Sequence, residues 1–432
     1  MFTFPALNRA NTWYVLVILT AISFTWSERL NSIGIILLVV HWTLDRKLID
    51  KCLLLISSKT SAYQLSSRLS NMQRISIYLL ISFFLLHLIA LIWSDYKIQG
   101  WQTIEVKLSF FILPLLFSTE HYLDKKKTEL LLFIFSISCC LSFCYACIYS
   151  YLHYIDKGWI LVLNRMSISE GIMHPGYYSN YFAFALVFCI FQWLDIKNKI
   201  SLKSIAFIGL ILFLSTAILM LISKTTILFL GCFGLFLLWL ATSRIKNILT
   251  RILVFILSLF ITILLAIQIP NIKYRINETF NDTAVIDTNV ILENSTGSRI
   301  AAWTTEWHLI KQNWLIGYGT GEANPQLKKQ FIKEGYHNLA NENMHTHNQI
   351  LHTWLDLGIV GVVLLFLILF VSGYLLFTNK RPLGYWLVLL ILFNISTDDM
   401  LEVQAGTVFF IFFLTLFLYQ KEGNRYGIKY SS

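Results

Sequence analysis

Histidine is the side chain best suited to moving a proton near neutral pH. Five of the ten histidines in this chain fall in one polar stretch, about Pro270 to Asp356: His308, His337, His345, His347 and His352. His345-Thr346-His347-Asn348 sets two imidazoles at i, i+2 on an extended segment. The pair reads as zinc ligands, as satisfied structural histidines, or as a general base beside an apolar groove. No HExxH or CxxC accompanies it, so no metal site is expected. A second chemistry is the holding of anions. Arg299 follows Gly297-Ser298 at the start of a stretch read as a helix from Arg299 to Leu315. Its planar fork suits phosphate oxygens, and the N–H groups of a first helical turn would add to it; a solvated loop arginine is the plain alternative. Lys224 lies in LMLISKTTILFLG, between two apolar runs with almost no loop. It reads as a snorkelling anchor or as a cation held for an anionic headgroup, since at mid-bilayer it would cost roughly 2.5–3.5 kcal/mol or more. Gly317-Tyr318-Gly319-Thr320-Gly321 looks like a phosphate cradle. It lacks a terminal Lys-Ser/Thr and a preceding strand, and reads as a tight turn.

The elements that must carry these groups follow from composition. The chain has 432 residues, 56% hydrophobic, 15% aromatic and 13% charged, with mean hydropathy +0.64. Soluble domains are about 25% charged, so this chain has too little polar surface to cover a globule and is solvated largely by lipid. Disorder, a coiled coil and a disulfide-stapled module are excluded with it. Apolar runs at 12–27, 30–44, 75–94, 107–118, 129–152, 177–194, 204–222, 225–242, 252–269, 356–378, 383–397 and 404–419 predict about twelve spans. The first run is a span rather than a cleavable signal, and Pro114 is expected to kink the fourth. Six of the seven cysteines lie in apolar runs and read as packing residues.

Loop charge orients these spans. With the N-terminus inside, the inside segments hold 21 Lys and Arg, the short outside segments 6, and the long outside segment 7. Long loops are exempt from the positive-inside rule, so the pattern favours an even number of spans with both ends cytoplasmic. The net charge of +10 is thereby explained by topology, and no nucleic acid is expected. The organisation expected is residues 1–269 as nine spans, 270–355 as a large outside loop, and 356–432 as three spans and a cytoplasmic tail. In the loop, Asn277-Glu278-Thr279 and Asn281-Asp282-Thr283 match glycosylation acceptors. Ile300, Trp303, Trp307, Ile310 and Trp314 recur at helical spacing and suit a helix at the membrane interface. Asp398, Asp399 and Glu402 form an outside acidic cluster, read as solvated loop acids or as groups orienting His347.

Three local patterns resemble the bacterial O-antigen ligase and polymerase superfamily: Ser223-Lys224-Thr225 at the outer start of a mid-chain span; Gly297-Ser298-Arg299 followed by Trp303; and His347-Asn348 running on to Leu357-Gly358-Ile359-Val360-Gly361. Lys107-Leu108-Ser109 to Pro114-Leu115-Leu116 also resembles that family's fourth span. The layout is similar throughout, and the specific similarity runs from about Ser223 to Gly361. Lys224 departs from the pattern, since the family usually has Arg there. The resemblance implies an all-α polytopic, GT-C-like membrane protein of a bacterial inner membrane, with a large periplasmic loop containing amphipathic helices. It also implies an inverting, metal-independent glycosyltransferase without cofactor. The donor would be a glycan on undecaprenyl pyrophosphate. The acceptor would be lipid A-core in a ligase, or another lipid-linked glycan in a polymerase, and membrane lipids would surround the site. Lys224 and Arg299 would hold the pyrophosphate and His347 would be the base, with His345, Asn348, Arg165 and His174 as secondary candidates. The ligase is the preferred reading. A secondary transporter is disfavoured by the absence of paired interrupted helices; a protein of assembly without chemistry is the other alternative.

Overall fold

Apolar runs in lipid can satisfy their backbone hydrogen bonds internally only as helices or closed barrels. All regular elements among the described residues are helical. The computed structural model describes residues 8–45, 69–120, 123–162, 164–170, 172–221, 223–243, 245–268 and 295–420. Cys52, both glycosylation acceptors and the acidic, Asn-rich part of the long loop lie outside the described residues. In chain order the helices are α1 (Arg9–Ser23), α2 (Glu28–Thr43), α3 (Asn71–Ala90), α4 (Lys97–Lys107), α5 (Ser109–Thr119) and α6 (Lys125–Tyr154). They continue with α7 (Trp159–Val162), α8 (Arg165–Glu170), α9 (Pro175–Asp195), α10 (Leu202–Leu221), α11 (Lys224–Thr242) and α12 (Ile248–Gln268). Last come α13 (Ser295–Gln312), α14 (Ala323–Lys333), α15 (His337–Asn341), α16 (Gln349–Thr378), α17 (Pro382–Ile395) and α18 (Gln404–Tyr419).

Each of the twelve apolar runs falls on a helix, with ends that agree to within a few residues except at 356–378, where the helix starts at Gln349. Among the described residues, five helices are long and apolar enough to cross a bilayer: α3, α6 with the short turn after it, α10, α11 and α16. The helix starts are written locally. Ser70 and Gln73 make a capping box, Asp124 caps α6, and His174 caps α9 ahead of Pro175. The core of the bundle is aromatic. Every residue of α18 from Ala405 to Tyr419 is buried, and so is α9 from Tyr178 to Cys189. Phe409 and Phe413 of α18 pack against Phe135 of α6 and Phe184 of α9 in tilted and edge-to-face pairs. Large apolar side chains such as Leu30, Ile33 and Ile36 of α2 point outward instead, as expected of surface that faces lipid.

Residues 295–344 fold on top of this bundle around small cores of their own. Ala301, Ala302, Leu327, Phe331, Leu339 and Ala340 form one; Leu309, Ile310, Ala323 and Leu355 form another and join it to α16. The loop helix differs from the expected one. It begins at Ser295, and its buried face is Ala301, Ala302, Thr305, Glu306, Leu309 and Ile310; Ile300, Trp307 and Trp314 are exposed. Alanines can approach neighbouring helices closely, whereas the larger ring-bearing residues project outward. At Gly358 α16 breaks, with φ 66 and ψ −167. A Cβ there would lie 2.1 Å from Leu315 O, so only glycine lets the loop cross the helix at this point. Ile359 N–H donates to Trp314 O at 2.9 Å across the break.

Candidate functional site

His347 lies in the turn before α16 with φ +45, a left-handed conformation that L residues adopt at an energetic cost and that clusters at functional sites. Its neighbours hold it there. The Thr346 carbonyl accepts the Trp303 indole N–H at 3.1 Å, and the Thr346 hydroxyl donates to Asp399 Oδ2 at 3.1 Å. Asn348 caps α16 by accepting the N–H groups of Ile350 and Leu351 at 2.9 and 3.1 Å, and its amide donates to Ser396 O at 3.3 Å. Gln349 N–H donates to Asp398 O at 3.2 Å. Thr346 to Gln349 are thus stitched to the connection between α17 and α18. The secondary candidate Asn348 has a structural task as a cap.

The stitch brings His347 Nδ1 to 3.4 Å from Asp398 Oδ1. Burial alone would raise the Asp398 pKa. Hydrogen bonds from His347 and Asp399, with the charges of His347 and Arg299, outweigh burial and hold it below the usual range. Asp399 shifts the other way: burial raises it, His352 opposes, and the adjacent Asp398 adds to the rise. Neighbouring acids are thereby split, one kept ionised and one pushed toward protonation. The reading of these acids as solvated is corrected: Asp399 is 9% exposed, and Glu402 sits beneath it in contact with Lys107 at 2.6 Å. Burial would raise Glu402, but His352, Lys107 and His87 together hold it well below its ordinary pKa.

His352, one turn into α16, binds the cluster together. Its Nδ1 is 3.1 Å from Thr346 Oγ1, and its Nε2 is 3.6 Å from Glu402 Oε2 and 3.8 Å from Asp356 Oδ2. Asp356 in turn accepts the N–H groups of Gly321, Glu322 and Ala323 at 2.9, 3.1 and 2.8 Å. The glycine-rich loop is therefore the tight turn expected from its sequence, and its amides cradle an internal carboxylate at the start of α14. Glu322 completes the clasp by accepting from Ser94 Oγ and from the backbone of Asp95 and Tyr96 at 3.0, 2.5 and 2.7 Å.

The predicted cations lie at the same end of the bundle. Arg299 is half-buried and within electrostatic reach of Asp398 and of His174. It is the fifth residue of α13, so the unbonded first-turn N–H groups precede it, which corrects the expectation that it starts the helix. Lys224 is the first residue of α11, whose Ser223 hydroxyl accepts the Thr226 N–H. Thr225 Oγ1 touches Thr397 Oγ1 at 2.7 Å, next to Asp398. A neutral knot fastens this end of α11. Thr226 Oγ1 donates to Asn180 Oδ1 at 3.0 Å and pairs with Ser179 at 2.8 Å, and Asn180 meets Asn394 at 2.8 Å.

The remaining candidates divide. His174 caps α9 through Nδ1, which accepts Gly176 N–H at 3.3 Å. Desolvation lowers its pKa, Asp398 opposes this, and His347 and Arg299 add to it. His345 is exposed, its ring 6.4 Å from that of His347 and nearly perpendicular to it. Arg165 opens α8. His347, Asp398 and Asp399 each offer an atom within 4.8 Å of the others and could together hold a metal ion, although the same closeness follows from their mutual hydrogen bonds. Sequence reasoning missed Glu306. It is fully buried on α13, with neither carboxylate oxygen hydrogen-bonded. Burial, then the charge of Asp399, pushes its pKa well up. Its i±4 neighbours Ala302 and Ile310 are the only local signal of a buried face.

Residues 208–366 match a family model described as O-antigen ligase. The matched stretch runs from α10 into α16 and contains Lys224, Arg299, His345 and His347. No curated protein matches the chain.

Proposed function

From the match over residues 208–366, which supports the O-antigen ligase superfamily, we propose that the chain is the transferase that joins a glycan from undecaprenyl pyrophosphate to a sugar of lipid A-core. The observation that carries this reading is His347, held on a left-handed backbone with Nδ1 against Asp398 and with Arg299 in reach of the same acid. With Nδ1–H donated to the ionised Asp398, the Nε2 lone pair is left to accept a proton. The acceptor hydroxyl gives its proton to Nε2 as its oxygen bonds to the anomeric carbon. The bond from that carbon to the pyrophosphate oxygen breaks, and its electron pair leaves on the diphosphate. One displacement inverts the anomeric centre. Base catalysis of this kind contributes roughly 10²–10⁴-fold. Arg299 and Lys224 meet the charge that grows on the leaving group, and no metal or cofactor takes part.

In this reading both termini are cytoplasmic, residues 270–355 form the periplasmic loop, and the site faces the periplasm of a bacterial inner membrane. The loop charges and the gathering of Lys224, His174, His347 and Asp398 at one end of the helices support it. The polymerase reading shares every residue and differs in the acceptor. The test is transfer by the purified full chain from lipid-linked glycan to core acceptor, with and without chelator. Transfer that survives the chelator and is lost in His347→Ala upholds the proposal. Loss of the gene separates the two acceptors: a missing ligase leaves bare core and accumulated lipid-linked polymer, a missing polymerase leaves core bearing one repeat unit.

A further inference from the structure

Beside the candidate site, on the far side of His174, lies a cavity of about 440 Å³ between the C-terminal end of α6, α8 and the start of α9. That size is within the range of small-ligand pockets, roughly 300–1,000 Å³. Nothing in the transfer chemistry described above uses it. Its lining contains no Lys or Arg; the nearest ammonium, of Lys157, lies over the Tyr154 ring, 5.1 Å from its centroid. The polar groups are the Tyr154 phenol, the Glu170 carboxylate, Ser167, Ser169 and His174, and the apolar walls include Met173. The Tyr154 hydroxyl donates to Glu170 Oε2, and Ser167 hydrogen-bonds to the same phenol. Glu170 Oε1 is left as a second acceptor. His174 accepts Gly176 N–H on Nδ1, so its neutral ring carries its proton on Nε2 and presents a donor at the rim.

We propose that this cavity is a carbohydrate subsite that takes a neutral sugar ring of one of the two glycans. The proposal rests on the transferase reading of the neighbouring site and says where a sugar of its substrate lies. Three features select that ligand. A carboxylate, a phenol and serine hydroxyls offer the mixed donors and acceptors that ring hydroxyls need. Met166, Met173 and Pro175 offer apolar surface to the C–H face of a pyranose. The one charged group in the lining is the Glu170 carboxylate, which disfavours phosphate and uronate there while the Lys157 ammonium is engaged over the Tyr154 ring, so the pyrophosphate is directed to Arg299 and Lys224 and a neutral sugar to Glu170. His174 caps the start of α9, whose Ser179 and Asn180 bond Thr226 of the Lys224 helix and Asn394 of the helix that leads to Asp398, so the cavity lies at the same end of the bundle as the reacting groups. Donor and acceptor share this sugar chemistry, and the test tells them apart.

The experiment uses the full chain in lipid nanodiscs, with Glu170→Ala, Glu170→Gln and Tyr154→Ala. Donor and acceptor are varied separately. The expected result is a rise of about tenfold or more in the KM of one glycan, as follows from losing a hydrogen bond to a charged group, with a much smaller change in kcat. The glycan whose KM rises is the occupant. Direct binding is read by saturation-transfer NMR with two probes, core oligosaccharide freed of its lipid and repeat-unit glycan freed of its polyprenol. Binding of one probe to the wild-type chain that weakens in Glu170→Ala supports the subsite. KM values within twofold of wild type in all three variants, or probe binding that is absent or unchanged by Glu170→Ala, overturn it. Failure of the transferase reading itself shows differently, as no transfer by the wild-type chain.

Discussion

Two buried polar clusters lie near each other at one end of the bundle, and they are built from different materials. One is neutral: Ser179, Asn180, Thr226 and Asn394 tie α9, α11 and α17 together through hydroxyls and amides. The other is charged: Lys107, Asp356, Asp399 and Glu402 gather around His352, and Asp399 reaches the His347 turn through Thr346. Fastening helices needs only the first kind. Hydrogen-bonded amides satisfy each other at little electrostatic cost, whereas each buried ion carries a desolvation penalty of several kcal/mol that good pairing only offsets. Charge collected where neutral groups would suffice therefore marks the place where a proton or a charged ligand is handled. The neutral knot positions Lys224; the charged cluster positions His347.

The largest expected effect separates the two clusters by activity. His347→Ala should lower transfer by about 10²–10⁴-fold in protein that inserts and unfolds like wild type. Asn394→Ala should lower stability by about 1–3 kcal/mol through the partners it strands, with transfer per folded molecule close to wild type. Initial rates set beside thermal unfolding of the same samples check this. Equal losses of activity in both variants would break the distinction. The second effect falls on stability. Lys107→Met leaves Glu402 ionised and buried without its cation, a loss of about 3–5 kcal/mol. Lys107→Met combined with Glu402→Gln should recover a large part of that loss. Simple additivity of the two substitutions would mean that the pair is not coupled.

A third comparison concerns the two cations. Arg299→Ala and Lys224→Ala should each reduce kcat/KM for the lipid-linked donor by about 10–100-fold, the range of a hydrogen bond to a charged group. Arg299→Lys should not restore it, because a point charge does not replace a planar fork. Lys224→Arg should stay within a few fold of wild type. Steady-state kinetics with donor as the varied substrate decide between these outcomes, and an Arg299→Lys enzyme as good as wild type would remove the fork from the argument.

What could be read in advance follows the range of each interaction. The twelve apolar runs landed on helices because hydropathy and helix length are local properties, and the Ser, Asp and His-Pro starts are local too. His347, Arg299 and Lys224 stood out by type and context. The charged cluster did not, because its pairs are distant along the chain: Lys107 and Glu402 are 295 residues apart, and Thr346 and Asp399 are 53 apart. From sequence Lys107 was one more outside charge, and Asp398, Asp399 and Glu402 were an acidic cluster read either as solvated or as orienting His347; only the meeting of α4, α16 and the connection from α17 to α18 brings them together. The same holds for Asp356, whose aspartate reads as the start of a span and whose partners are the amides of Gly321, Glu322 and Ala323. The choice between His345 and His347 as the base, open on sequence grounds, has a geometric lead in the contact of His347 with Asp398.

Glu306 offers the smallest effect and tests whether buried charge next to the site is tolerated or only neutral carboxyl. Its folded pKa is raised, first by burial and then by the charge of Asp399. In the unfolded chain it ionises near the ordinary Glu value of about 4.3. A raised folded pKa means that the folded state holds the proton longer, so the contribution of Glu306 is most favourable below about pH 4.3 and declines as pH rises through the folded value. Glu306→Gln keeps the shape and removes the ionisation. It should therefore stabilise the protein at neutral pH and above, by about 1–3 kcal/mol, the scale of a buried unsatisfied group. The gain should shrink toward zero as the pH is lowered past 4.3. Thermal unfolding of both proteins across pH 4–8 provides the measurement. A gain that stays constant over that range would assign the effect to packing, and a loss at neutral pH would mean that the carboxylate is ionised and paired when the protein is folded.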